Sequence, residues 1–311
     1  MGYFSFRPPA LIGIDCQANI LRIVKLKKIR SSFLVEAIIK EELPREIFSE
    51  GQAIQWELLH QKLSQIVEDY QLSNQYAAIA MPSYLAKMHV LSFDHDANDE
   101  DILLEIHHYL ADDLPHFTDE FCIDFFKYKA NQHKIRVFFV AVKREYITQY
   151  LEHLQACHLK IVMLDIDCLV LVRAFQQLMP IHSNTPHAVI YIKDQSVCLI
   201  VFNAEGLIFY QNFNLVHGIK IESQIKSIVE NYLFADQAPK IDKFIVVCNR
   251  DYLAKIQDYS LNFITVKIEF RYLDSFHNMK FSCDFPSDDP FEYLLSTHLA
   301  MREVPAWSQL I

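Results

Sequence analysis

The chain has 311 residues, 51% of them hydrophobic, and a formal charge of −10, enough for one large or two ordinary domains with a substantial core. That acidity excludes a protein that coats nucleic-acid backbone, which needs concentrated positive charge, so no nucleic-acid partner is expected. The seven cysteines are odd in number and scattered, with no Cys-x-x-Cys pair, so they read as buried thiols in a reducing compartment and a zinc ribbon or thioredoxin-type site is not expected.

Leu11 to Ile14 is an apolar run leading into Asp15, and Leu21, Ile23, Val24 and Leu26 return interleaved with Arg22, Lys25 and Lys27. This predicts two strands joined by a tight turn. Asp15 is then either an acid at the tip of an ordinary hairpin or the Mg²⁺-side carboxylate of a phosphate loop, whose turn needs small residues. Lys25 to Arg30 is the one basic block, readable as the solvated side of a hairpin or as a contact for an anionic membrane surface. Ser32 to Lys40 reads as a third strand, Ile54 to Tyr70 as an amphipathic helix, and Tyr76 to Met81 as a short buried strand closed by Pro82.

From residue 83 to 160 the texture changes. Asp94, Asp96, Asn98 and Glu105 fall at positions 1, 3, 5 and 12 of a calcium loop, but Asp99 stands where its sharp turn needs glycine. Acids at the N-terminus of a helix over about Glu100 to Ala111 are the ordinary explanation. Strands at Asp119 to Lys129 and Lys134 to Val142, a helix at Lys143 to Cys157, a strand at Lys160 to Cys168 and a helix at Leu169 to Leu178 follow. Asp165 and Asp167 are either a carboxylate pair or caps for that last helix.

Ser183 to Pro186 is the expected boundary between halves. Strands at His187 to Ile192, Val197 to Asn203 and Leu207 to Asn212, a helix at about Lys220 to Phe234 and a strand at Lys243 to Cys248 then repeat the opening βββαβ order. A helix (Tyr252 to Tyr259), a strand (Phe263 to Phe270) and a final helix (Phe291 to Met301) complete the chain, with Trp307 in the tail. The expected fold class is α/β, with duplicated βββαβ halves of the ribonuclease-H-like and actin-like kind. The halves are placed at 1–182 and 183–311, and a small α+β subdomain at about 83–160 is inserted in the first. With no cationic segment followed by a long apolar one at the start and no apolar run of spanning length, a cytoplasmic location is expected.

Neither Gly-x-Ser-x-Gly nor Gly-x-x-x-x-Gly-Lys-Ser/Thr occurs, and the fourteen histidines show no His-Glu-x-x-His. Glycine is decisive. The chain has five, at Gly2, Gly13, Gly51, Gly206 and Gly218, and none lies in a loop following Asp15, Ile192 or Cys248. Turns that cradle nucleotides need glycine where backbone approaches phosphate.

Taken together, Ile12-Gly13-Ile14-Asp15 with its returning strand, Ala78-Ile79-Ala80-Met81-Pro82, Asp119 to Phe126, Val140 to Glu145, Val162 to Asp167 running on to Arg173-Ala174-Phe175, and Leu299-Ala300-Met301-Arg302 resemble the PilM family. These are cytoplasmic actin-like proteins of type IV pilus and competence machineries, related to the cell-division ATPase FtsA. The resemblance implies an actin-like fold with a nucleotide cleft lined near Asp15, Cys16, Gln17, Ala18, Asn19, Tyr191, Lys193, Gly218, Cys248 and Asn249. Cys16 to Asn19 replace a Gly/Ser-rich turn, Tyr191-Ile192-Lys193 replaces Asp-Ile-Gly, and Cys248-Asn249-Arg250 replaces Gly-Gly. A degenerate cleft with no cofactor is therefore expected, the alternative being a working ATPase that binds ATP and Mg²⁺ and polymerises or cycles. A relative from type II secretion assembly would share the fold. The resemblance also implies a scaffold that holds the N-terminal cytoplasmic peptide of PilN, links to platform and motor proteins, and meets the inner membrane through such partners. Ile102, Ile106, Tyr109 and Phe138 are the expected floor of the peptide groove.

Overall fold

The computed structural model describes residues 10–17, 19–44, 47, 54–113, 120–129, 133–179, 185–193, 196–216, 218–234, 239–256, 266–285 and 288–302. The chain forms two compact units: residues 1–82, 148–178 and 273–311 make one, and residues 83–147 and 179–272 the other.

The first unit is built on a sheet whose alternating sequences predict its strands. These are β1 (Leu11–Gln17), β2 (Ile20–Ile29), β3 (Ser32–Glu42), β4 (Tyr76–Met81), β8 (Lys160–Ile166) and β14 (Lys280–Phe281), ordered β14-β3-β2-β1-β4-β8. The strands β1, β2 and β3 are antiparallel neighbours, while β4 and β8 run parallel to β1. Helix α1 (Trp56–Asp69) buries Trp56, Leu59, Leu63, Ile66 and Val67 at helical spacing. It meets α3 (Arg144–Ala156) where the Trp56 ring lies edge-on to Tyr150 and stacked on His153. Helix α4 (Asp167–Leu178) packs against α7 (Leu294–Ala300), and α7, buried along its whole length, lies on β1, β2 and β4.

In the second unit β9 (His187–Lys193), β10 (Ser196–Phe202), β11 (Leu207–Asn214), β12 (Lys243–Val247) and β13 (Lys267–Arg271) form a sheet ordered β11-β10-β9-β12-β13. Helix α5 (Ile221–Leu233) sets Ile225, Ile228, Val229 and Tyr232 on Ala188, Ile190, Ile192, Leu199 and Val246. The same unit holds a three-stranded sheet, β5 (Ala86–Asp94), β7 (Lys134–Lys143) and β6 (Phe121–Lys129) in that order, with α2 (Asp99–Asp113) on one face. A further short helix is α6 (Arg250–Ile256).

The βββαβ order thus appears twice, as β1-β2-β3-α1-β4 and β9-β10-β11-α5-β12, and the insertion leaves the first half after β4. The compact units depart from the expected division at residue 182. From Leu273 onward the chain belongs with the first sheet, because β14 pairs with β3 and α7 covers β1. The expected final helix is split, a 3-10 turn at Pro290–Tyr293 preceding α7, and β5 and β14 are strands the sequence pattern does not announce. Of the expected insertion at about 83–160, residues 83–147 fall in the second unit. Part of the expected strand at Phe263, the boundary at Ser183 and Trp307 lie outside the described residues.

Candidate functional site

Asp15 lies within β1, three positions before the turn, and pairs directly with Arg22 of β2. Gln17 pairs with Ile20, the last pair before the hairpin turn. Ala18 is outside the described residues, as is the side chain of Gln17. Asn19 accepts a backbone hydrogen bond from Leu43 N–H at 2.7 Å through its carbonyl. Directly opposed residues of an antiparallel pair share a face, so Asp15 and Arg22 share theirs with Gly13 and Val24. Helix α7 covers that face. A Cβ on Gly13 would stand 1.8 Å from the Ser296 carbonyl oxygen and 2.6 Å from the Ala300 nitrogen, so glycine here admits a helix backbone. Neither Asp15 nor Arg22 has measurable solvent exposure.

The Arg22 guanidinium is 3.3 Å from Glu292, whose carboxylate also takes Lys40 at 2.8 Å. Lys40 lies 3.5 Å from Asp288, which accepts a 2.9 Å hydrogen bond from the Tyr293 hydroxyl. Burial opposes the Lys40 ammonium, but the Glu292 hydrogen bond and charge, with Asp288, outweigh it and raise its pKa. Cys16 alternates onto the other face of β1; burial, reinforced by the Asp15 charge, pushes its thiol up, away from thiolate chemistry.

The second set of sequence-predicted positions gathers at one edge of the five-stranded sheet. Lys193 pairs with Ser196, which pairs in turn with Asn214, and Val247 pairs with Tyr191. The carboxyl ends of β9, β11 and β12 therefore lie together, an edge where α/β sheets often carry ligands. Tyr191 and Lys193 are both buried, on the face opposite Ile190 and Ile192. Ser196 Oγ donates to the Lys193 carbonyl at 3.2 Å. Residues 194–195 are outside the described set. Cys248 is fully buried, and Asn249 Oδ1 accepts the Tyr252 N–H at 2.8 Å, capping α6. Gly218, at φ +83°, keeps the turn before α5. The Gln224 carboxamide holds that turn, accepting from Val216 N–H at 2.9 Å and donating to the Val216 and Ile219 carbonyls.

The expected groove residues fall on both faces of the small sheet. Ile102 and Ile106 are fully buried among Ile135, Val137 and Phe139, while Tyr109 packs edge-on to Phe139 and stacks on His89. Phe138 alternates to the opposite face of β7, beside Phe126 at 5.2 Å. That face meets the β10–β11 turn: Phe126 lies against Gly206 and the Tyr128 hydroxyl donates to the Leu207 carbonyl at 3.4 Å. Burial drives the Tyr128 hydroxyl up to about 12. Phe126 remains 38% exposed.

Asp94 and Asn98 of the calcium pattern, and Asp99 beside them, have other uses. Asp94 pairs with Lys134 at 2.7 Å, Asp99 with Lys127 at 2.5 Å, and Asn98 Oδ1 accepts the Asp101 N–H to cap α2. Asp165 holds Arg173 and lies 3.8 Å from Arg302, while Asp167 opens α4 and accepts the Cys168 N–H. Among the described residues no group of three or more His, Cys, Asp or Glu is placed to hold a metal, and no helix is long and apolar enough to cross a membrane. Sequence reasoning missed Arg22. The signal was available, since a two-residue turn at 18–19 puts residue 22 opposite residue 15.

No curated protein sequence matches the chain significantly. Among solved structures, 95% of the chain superposes on 98% of a chain from a PilM-PilN type IV pilus biogenesis complex, with TM-score 0.70 and 14% identity. The cytoplasmic domain of EpsL, an inner membrane component of the Vibrio cholerae type II secretion system, aligns over 97% of this chain and 94% of its own at TM-score 0.49 and 12% identity. The first likeness establishes the actin-like fold read from the duplicated halves. The profile of the type IV pilus assembly protein PilM matches residues 13–284. The chain belongs to the PilM family of type IV pilus assembly proteins.

Proposed function

We propose that this protein is a scaffold of type IV pilus assembly that grasps the N-terminal peptide of PilN and does so without ATP. The observation that carries the second part is the pairing of Asp15 with Arg22 on a face roofed by α7. An acid with no solvent exposure, opposite an arginine across the strand pair and under a helix, is poorly placed to hold hydrated Mg²⁺, which keeps several waters and needs open space. Lys193 stands where the family has a glycine, and the Asn249 side chain is spent on a helix cap. These residues do not fit Mg·ATP.

Family membership supports the scaffold role, and the PilM-PilN complex supplies the partner. PilN then brings the protein to the inner membrane and to the pilus platform and motor proteins. The small sheet offers a surface of the right kind, since β5 and β6 are its edges and Phe126 stays partly exposed beside Phe138. Extended peptides add to such edges through main-chain hydrogen bonds while neighbouring side chains select the sequence. Fluorescence anisotropy with a labelled PilN N-terminal peptide is expected to saturate without nucleotide. Absence of binding at high micromolar protein overturns the scaffold reading. Titration calorimetry with Mg·ATP is expected to show no heat of binding, and micromolar affinity overturns the nucleotide-free reading.

A further inference from the structure

The β2–β3 hairpin carries Lys25, Lys27, Lys28 and Arg30 against the lone acid Glu36 between residues 25 and 36, in a chain of net charge −10. Glu36 is engaged by Lys25 at 3.3 Å and Lys27 at 3.8 Å. Lys28 and Arg30 are exposed at the tip, where Arg30 adopts φ +54°. The tip is tied to a second segment: Ser32 Oγ donates to the Asn278 carbonyl at 3.1 Å, and β14 adds Lys280 opposite Leu34 and Phe281 opposite Val35. Beside the hairpin tip this brings an aromatic cluster, with the exposed Asp284 between its two outer rings in sequence. Phe281 and Phe285 lie 5.2 Å apart, each 5.7 Å from the buried Phe276, and remain 38% and 47% exposed.

Cations backed by exposed phenylalanines on one rim of an otherwise acidic molecule have the chemistry of a bilayer contact. The cations meet anionic headgroups, and the rings reach the acyl boundary. We infer that the β2–β3 hairpin tip, with Lys280, Phe281 and Phe285, docks on an anionic lipid surface. The exposed rings argue for lipid over a second copy of this acidic chain, whose charge would complement the cations as well as anionic headgroups do, and lipid composition is the test. Contact of this strength is weak alone; beside a membrane-anchored partner it acts as a second attachment that gains from effective concentration. It rests on no part of the proposed peptide site.

The full chain is pelleted with vesicles of phosphatidylethanolamine, with and without phosphatidylglycerol. Binding is expected to the anionic vesicles only, to weaken with salt, and to fall about tenfold or more in Lys27→Glu/Lys28→Glu/Arg30→Glu. Phe281→Ser/Phe285→Ser supplies a second variant, expected to lower binding several-fold at unchanged net charge. Circular dichroism and PilN peptide binding are expected to be unchanged in both, which separates this inference from the scaffold reading. Equal pelleting with neutral vesicles, no pelleting with anionic ones, or wild-type pelleting of the charge-reversed variant overturns it. So does self-association without lipid that the same variant abolishes, which would assign the rim to a second copy.

Discussion

Asp15 and Arg22 face one another across the first hairpin, both without solvent exposure, and Glu292 approaches the same guanidinium from the C-terminal segment. A permanent cation inside a sheet is tolerable only while its counter-charges stay, and those charges equally need it. Arg22→Leu is therefore expected to destabilise the chain by about 3 kcal/mol or more, because it removes the cation beside the buried Asp15 and leaves Glu292 to Lys40 alone. Chemical denaturation checks this, and a loss under about 1 kcal/mol would mean that the pair is not what holds these acids.

Gly13 and Gly218 are glycines for different reasons. At Gly13 the obstruction is helix backbone, which cannot rotate away, so Gly13→Ala is expected to cost about 3 kcal/mol or more and to loosen α7. At Gly218 there is open space and the cost is conformational, about 1–2 kcal/mol for Gly218→Ala at its positive φ. Comparing the two melting curves tests the ordering.

His298 sits inside α7 with Nδ1–H donating to the Leu294 carbonyl at 2.8 Å. Burial, with a further push from Arg173, lowers its pKa from 6.5 to about 4. The folded state thus takes up its proton later than the unfolded one. The contribution of the neutral ring is fully present above pH about 6.5 and is lost as the pH falls toward about 4, by roughly 3 kcal/mol in all. Urea unfolding at neutral pH and near pH 4.5 should show a larger acid loss in the wild type than in His298→Leu. Equal losses would assign the acid sensitivity to carboxylates.

The duplicated halves were legible because strand alternation and helical spacing are local: residues 11 to 81 and 187 to 248 each show the period of every element in turn. What was not legible is long-range. Leu294 to Ala300 contains Ser, Thr and His yet is buried on all sides, and its place on β1 is dictated by a glycine some 280 residues earlier. β14 has two residues, too few for any period, and its pairing with β3 is set by the fold. The groove residues were expected from the family likeness; Ile102 and Ile106 also keep the helical spacing that marks a core, and both are packed in one. Phe138 alternates to the other face, a consequence of strand period that placed it away from them.

That division of the small sheet makes the last prediction. Ile106→Ala empties part of the α2–β7 core and is expected to cost about 2–4 kcal/mol while leaving PilN peptide affinity at low temperature near wild type. Phe126→Ser, at a partly exposed ring on the opposite face, is expected to cost only about 1 kcal/mol and to weaken peptide binding about tenfold, as loss of an aromatic anchor does. Anisotropy titrations beside melting curves separate stability from contact. If Ile106→Ala abolished peptide binding in a folded protein and Phe126→Ser left it intact, the peptide would have to lie on the helix side of the sheet, and α2 would have to yield to admit it.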